Sequence, residues 1–390
     1  MTLFPLTRPR LGLGIGAHTL SLVEITRDWR RAWQGSGLRS CRVRELPDGL
    51  VRPSATEPNV SDVGALVEQV RALLGGRRRP WELRPVALSL PDLCARTALF
   101  EFETWPQKPA EGEALLKWRF QKELNVPADA RLAYRLFPSG AGSRSDGAAA
   151  SFRVLAGAVS AKVLEQYEQV CVEAGLLPLN VNLSSLALFD LCRPAMLRST
   201  DGKGPLVPPE VFFLSLMDGG YSFIALRDGF PVFLRMKPNR DGMTSDEVVS
   251  TIQFYDDSQP MAATSTDTQP RLFYVVGNEG VPLDVAHSSA LRLAAIPLDW
   301  EALLSARFGS ARPDLRTLSL AALPALAGVM EARGRHGCGS PSPEPVAGPS
   351  VAPAVARGSM DPGVADRQLA DPDGLVLVAQ PFFRGGRGAV

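Results

Sequence analysis

Few side chains in this sequence are placed to do chemistry. Its histidines are His18, His287 and His336, and none sits in a spacing that would pair it with a nucleophile or a metal. The five cysteines, Cys41, Cys94, Cys171, Cys192 and Cys338, form no CxxC pair and have no histidine at a zinc-ligand spacing. Cys171 and Cys192 fall on apolar helix faces, where a small buried thiol is the ordinary outcome. No Asp or Glu stands out as a catalytic carboxylate. What remains is a set of small-residue turns: Gly16-Ala17-His18-Thr19, Asp218-Gly219-Gly220, and Gly277-Asn278-Glu279-Gly280. Glycine there tolerates the positive φ of a tight turn and leaves backbone N–H groups open to an anion. Hairpin turns favour Asp for local reasons, so Asp218 reads first as a turn former and second as a carboxylate. His18 likewise reads as a turn residue before a phosphate contact.

The first two turns need strands to hold them. In LGLGIGAHTLSLVEI, from Leu11 to Ile25, apolar residues alternate on both sides of Gly16-Ala17-His18. In VFFLSLMDGGYSFIALRDG, from Val211 to Gly229, the same plan surrounds Asp218-Gly219-Gly220. A side-chain period of two on both flanks of a turn is the signature of a β-hairpin. A strand, Leu272 to Val276, runs straight into the third turn.

Bulk properties bound the answer. The 390 residues suffice for two domains, and 45% hydrophobic residues can build large cores. A net charge of +1 argues against electrostatic nucleic-acid binding. Of 42 basic residues only Lys108, Lys117, Lys122, Lys162, Lys203 and Lys237 are lysines. Abundant Arg, Ala, Gly and Pro together indicate a compositional bias, so Arg77-Arg78-Arg79 reads as a solvated loop. The N-terminus lacks the apolar stretch of a signal peptide, and no run approaches the roughly 18 apolar residues of a membrane span. With its cysteines unpaired, the expectation is a soluble, cytoplasmic protein.

Between the hairpins the pattern predicts helices from Val63 to Leu74 (capped at Ser61-Asp62), from about Ala110 to Leu124 (Leu115, Trp118 and Phe120 inward), from Val163 to Ala174, and from Leu186 to Cys192. Strands are expected at Val86 to Leu90, Leu99 to Glu103, Ala133 to Phe137, Phe152 to Val159 and Leu179 to Leu183. After the second hairpin come a strand from Val232 to Met236, a helix from Ser245 through Tyr255, and helices over Val285 to Ala294 and Leu315 to Arg333. From Gly334 onward, prolines embedded in Ala, Gly and Ser cannot bury enough apolar surface to offset the entropy of ordering. That tail is expected to be disordered, with one apolar island, Leu375 to Phe383, suited to adding a strand to a partner's sheet edge.

The order of these segments resembles the PilM family of type IV pilus assembly, itself similar to FtsA in the actin-like ATPase superfamily. LGLGIGAHTLSLVEI and VFFLSLMDGGYSFIALRDGFPVFLR resemble its two phosphate hairpins. VALSLP followed by LFEFE, and LLKWRFQKELNVPADARLAYRLF, resemble its small inserted subdomain. VLAGAVSAKVLEQYEQVCVEAGLLPLNVNLSSLALFDL resembles the stretch closing its first domain, and RLFYVVGNEG its turn near the adenine. The resemblance implies an α/β, actin-like (ribonuclease H-like) two-lobe fold. The first lobe would span residues 1–195 with an α+β insertion at about 91–156, the second 196–333, and the tail 334–390. The two hairpin turns would face one cleft.

The departures from the family pattern bear on activity. The aspartates of the two hairpins are replaced by Gly14 and Ser215, the lysine after the first turn by Ser21, and a glycine of the second by Met217. Mg²⁺ wants carboxylate oxygens, and phosphoryl transfer depends on that metal and a positioned water. If nucleotide binds, the resemblance places it against Gly16, Ala17, His18, Thr19, Asp218, Gly219, Gly220, Gly277, Asn278 and Gly280. ATP is expected to bind weakly or not at all, Mg²⁺ to lack its ligands, and hydrolysis to be absent. The expected function is a non-enzymatic scaffold that binds the N-terminal segment of a PilN-like membrane protein beside the inserted subdomain. That would make it peripheral to the inner membrane, and self-association is open. The alternatives are an active actin-like ATPase and a sugar- or acyl-kinase-like enzyme of the same superfold.

Overall fold

The computed structural model describes residues 9–25, 38–75, 83–139, 151–197, 210–217, 219–238, 244–258, 271–277, 293–296, 298, 300, 303–304, 318–334 and 376–377. Two five-stranded sheets repeat one topology. In the first, β1 (Leu11–Ile15), β2 (Thr19–Ile25) and β3 (Leu38–Glu45) form an antiparallel meander. To the other side of β1 lie β4 (Arg84–Leu90) and β8 (Leu176–Leu183), both parallel to it. In the second, β9 (Glu210–Met217), β10 (Gly220–Arg227) and β11 (Phe230–Pro238) are the meander. There β12 (Arg271–Gly277) and β13 (Leu293–Ile296) are the parallel strands. The fold is mixed α/β, built twice on the same plan.

A third sheet, the inserted subdomain, lies between β4 and β8 in sequence. It consists of β5 (Ala95–Phe102), β6 (Arg131–Ser139) and β7 (Ser151–Val159), with β7 in the middle, covered by α2 (Pro109–Leu124). The buried face of α2 is Gly112, Leu116 and Phe120, and Phe100 meets Phe120 edge-on at 5.2 Å. Trp118, expected inward, instead points out at 51% exposure with Lys122 Nζ 4.8 Å above its ring. One hundred degrees per residue puts positions 112, 116 and 120 in one stripe and 118 opposite it.

Helix α1 (Val63–Leu74) starts where Asp62 accepts a hydrogen bond from the Ala65 N–H, and it buries Leu66, Val67, Val70, Leu73 and Leu74. Helices α3 (Ala161–Glu173) and α4 (Ser184–Met196) flank β8 in sequence, and α5 (Thr244–Ser258) covers one face of the second sheet. Strand β9 is buried on both faces, which is why VFFLSLM reads as a nearly continuous apolar run. Phe212, Leu214 and Leu216 join the core with α5, while Val211 and Phe213 join a core that continues into the first lobe. Phe213 meets Phe189 of α4 at 5.7 Å, so the two lobes share one hydrophobic interior.

Three expectations are corrected here. The final helix, α6 (Leu323–Gly334), which the sequence division assigns to the second lobe, packs on β1, β4 and α4 of the first. Gly12 permits this, because a Cβ there would collide with the Ala325 backbone. Residues 293–294, expected to end a helix, begin strand β13, whose pairing with β12 outweighs local propensity. In the tail, Val376–Leu377 form a short strand, β14, on the edge of the inserted subdomain's sheet. Other tail residues, Arg77-Arg78-Arg79, Cys338, His287 and His336 lie outside the described residues.

Candidate functional site

The two hairpins converge at their turns. In the first, the Gly16 N–H donates to the Thr19 carbonyl at 2.8 Å, closing the turn around Ala17 and His18. In the second, Met217 pairs with Gly220 across the turn and Gly219 takes φ +89. A Cβ built on Gly219 would lie 3.3 Å from the Ala17 Cβ. The turn tips are therefore in direct contact, facing one another across the boundary between the lobes.

Behind that contact lies a cavity of about 270 Å³. Its polar lining comes from Thr19, Ser21, Asp92, Ser184 and Lys237. Gly14, Gly16 and Met217 add walls from the hairpins, Gly277 from β12, and Pro324 from α6. Ligand pockets commonly begin near 300 Å³, so the space is small for a nucleotide. Gly277, at φ +121, lies so close to the Leu216 carbonyl that no side chain fits there.

Of the residues expected to hold nucleotide, Gly16, Thr19, Gly220 and Gly277 line this cavity, and Ala17 and Gly219 approach one another at the turn tips. His18 points away: its side chain is 60% exposed and its Nδ1 lies 3.5 Å from the exposed Asp48 carboxylate. Asp218, Asn278 and Gly280 lie outside the described residues.

The positions that set metal chemistry are now visible in three dimensions. Gly14 pairs with Ser21 across the first hairpin, and Ser215 pairs with Ser222 across the second, so the two pairs occupy equivalent places. A Cβ at Gly14 would lie 2.5 Å from Ser21 Oγ, leaving no room for a carboxylate without moving that serine. Ser215 is buried, and its Oγ has no hydrogen-bond partner among the described residues. Among the described residues no group of His, Cys, Asp or Glu could hold a metal ion. The side chains at positions 14 and 215 do not fit the ligand set that Mg²⁺ with nucleotide would need.

One functional group escaped sequence reasoning. Asp92 sits in a one-turn 3-10 helix directly after β4, lines the cavity and is half-buried. The Ser185 N–H, at the start of α4, donates to its Oδ1 at 3.0 Å, and Ser222 Oγ donates to its Oδ2 at 3.0 Å. Burial pushes the carboxyl's pKa up, and the bonds from Ser185 and Ser222 only partly oppose this. Asp92 thus caps a helix of the first lobe and ties it to a strand of the second. A carboxylate placed immediately after an apolar parallel strand was the available signal, because α/β proteins put ligand groups at such strand ends.

Three cysteines, Cys94, Cys171 and Cys192, are buried. Burial raises the thiols of Cys94 and Cys171 to about 12 and that of Cys192 further. Asn59 Nδ2 donates to Cys94 Sγ at 2.9 Å, so that thiol belongs to a packed polar cluster.

No family model and no curated protein matches the chain. Solved structures do match. A chain of a PilM-PilN type IV pilus biogenesis complex aligns with TM-score 0.56 at 18% identity, over 83% of this chain and 99% of that one. A Bacteroides thetaiotaomicron protein with an actin-like ATPase fold aligns with TM-score 0.46 at 8% identity, over 81% and 94%. The cytoplasmic domain of EpsL, an inner membrane component of the Vibrio cholerae type II secretion system, aligns with TM-score 0.38 at 9% identity, over 80% and 96%. The chain has an actin-like fold similar to that found in the first of these. Among the described residues no helix is long and apolar enough to cross a membrane.

Proposed function

We propose that this chain is a non-enzymatic actin-like scaffold of an inner-membrane assembly platform for type IV pili or a related secretion system. Its partner would be the cytoplasmic N-terminal segment of a PilN-like membrane protein, which would hold it at the inner membrane. The observation that carries the proposal is the pair of hairpin turns in contact at Ala17 and Gly219, with Gly14 and Ser215 at the metal positions. Phosphoryl transfer relies on metal and preorganised charge at the transferring group, and neither position supplies them. The likeness to a chain of a PilM-PilN complex supports the partner class. A small apolar cavity between the inserted subdomain and the first lobe, walled by Leu132, Ala133, Val181 and Leu186, is a suitable receiving surface for an extended segment.

The test pairs two measurements on the full chain. Titration calorimetry with a synthetic N-terminal peptide of a PilN-type protein from the same genome should show one-to-one binding. A phosphate-release assay with ATP and Mg²⁺ should show no turnover above buffer. Metal-dependent turnover would overturn the non-enzymatic reading, and absence of peptide binding would overturn the partner.

Asp92 favours a second reading, an active ATPase or kinase-like enzyme. It is the half-buried carboxyl in the cleft that such chemistry requires, and Lys237 lines the same cavity. Turnover lost on Asp92→Asn would select this reading. Against it stands the engagement of both Asp92 oxygens by Ser185 and Ser222.

A further inference from the structure

The inserted subdomain ends in an unusual edge. Its sheet order is β14-β6-β7-β5, so without β14 the outermost strand would be β6. Strand β6 spans nine residues, Arg131–Ser139, and within it the first seven contain no proline or lysine. One of its two arginines, Arg135, is turned inward to an ion pair with Asp190 of α4. Natural edge strands are kept from pairing by charge, proline, bulges or a cover, and β6 is poorly defended by the first three. A row of open N–H and C=O groups of that length requires a cover.

The chain supplies one. Val376 pairs with Tyr134 and Leu377 with Ala133, antiparallel, on the outer side of β6. Ala133, the partner of Leu377, is also one of the β6 residues that wall the apolar cavity shared with β8 and α4, together with Arg131 and Leu132. Val376 and Leu377 fall within Leu375-Val376-Leu377-Val378-Ala379, the one run of five aliphatic residues in the sequence after Gly334. Its β-branched and aliphatic composition suits a strand, whereas its Pro/Gly/Ala-rich surroundings do not.

We infer that the outer edge of β6 is a strand-addition site whose resident occupant is the chain's own segment around Val376–Leu377. Main-chain hydrogen bonds to the edge give such a site its affinity, and an adjacent pocket selects the side chains. About forty residues separate Gly334 from Val376 in sequence, and a Gly-rich coil of that many residues would span on the order of 35 Å. Tethering of this kind gives an effective concentration near the millimolar range, so even a weak strand pairing stays closed. Any other extended segment that adds to β6 must first displace the tail. This inference does not depend on the pilus reading.

Amide hydrogen exchange tests it on the full chain, on a chain ending at Gly374, and on full-length Val376→Pro, which removes a strand N–H donor. Thermal melts should coincide for all three, because the pairing of Val376–Leu377 adds only two residues to the outer edge of one sheet. Exchange at the β6 amides facing outward should quicken by about tenfold or more in both variants, with β1 and β9 unchanged. A synthetic peptide of residues 371–383 at millimolar concentration should restore protection to the shortened chain, and a scrambled peptide should not. Unchanged β6 exchange in both variants, or no protection by the peptide, would overturn the site. A full-length dimer that becomes monomeric on truncation would place the tail on a second copy and overturn the intramolecular assignment.

Discussion

The two phosphate-type hairpins share a register and differ in what stands behind them. Gly12 and Gly14 in the first correspond to Phe213 and Ser215 in the second, and Gly16 corresponds to Met217. The first hairpin is stripped of side chains so that α6 can lie against its backbone, with Ala325 over Gly12 and near Gly14. The second is filled: Phe213 packs on Phe189, and Met217 packs against the shared core while walling the cavity. One hairpin is shaped by close helix packing against its backbone, the other by side-chain bulk. The lesson is that one topology is bound into the rest of the protein by opposite means at equivalent positions.

That contrast can be broken most severely at its filled side. Phe213→Ala should cost about 3–5 kcal/mol, since it empties the junction between the lobes, and denaturant unfolding measures it. The stripped side should respond to added volume instead. Gly12→Ala should lose about 1–3 kcal/mol by pushing α6 off β1; a loss near zero would show that the helix is not held there. The same substitution type, small for large or large for small, thus has opposite expected signs in volume and the same sign in stability.

Asp92 joins the two hairpins' surroundings and sharpens the comparison through pH. Its folded pKa lies above the unfolded value of about 3.9. The folded protein therefore holds this proton more tightly, and the associated stability is fully present below the unfolded pKa and lost as pH rises through the folded one. Asp92→Asn, which keeps an acceptor for the Ser185 N–H and offers an amide donor to which the Ser222 hydroxyl can turn and accept, should be at least as stable as the parent at pH 7. Its advantage should shrink as pH falls toward 4. Asp92→Ala should instead be destabilised at both pH values by about 1–3 kcal/mol, because the Ser185 N–H and Ser222 hydroxyl lose their acceptor. Chemical denaturation at the two pH values separates these outcomes. The smallest effect belongs to the exposed first turn: His18→Ala should change stability by less than about 0.5 kcal/mol.

Much of this architecture was legible. Both hairpins, α1, α3 and the strands of the inserted subdomain follow from periods of two and 3.6 with their capping residues. The misses have physical causes. Trp118 is large and apolar, yet its helical phase sets it opposite Leu116 and Phe120, and Lys122 offers it a surface partner. Residues 293–296 became a strand because an open edge of β12 was available to pair with. The candidate site was read as three turns; the structure brings the first two close at Ala17 and Gly219, and Gly277 of the third lines the same cavity. Asp92 was passed over because nothing in Pro91-Asp92-Leu93 announces that helix α4, reached only ninety residues later, would present Ser185 to it.

The sequence by itself determined the repeated strand-turn-strand plan, the apolar faces that make cores, and the loss of carboxylates at positions 14 and 215. Those depend on local geometry and on residue type, and both are written along the chain. Only the tertiary structure decided that α6 returns to the first lobe, that the two turns touch, that Asp92 bridges the lobes and that Val376–Leu377 cover β6. Each of these joins residues far apart in sequence, and such contacts are selected by complementary shape and unsatisfied hydrogen-bonding groups, which no local pattern records.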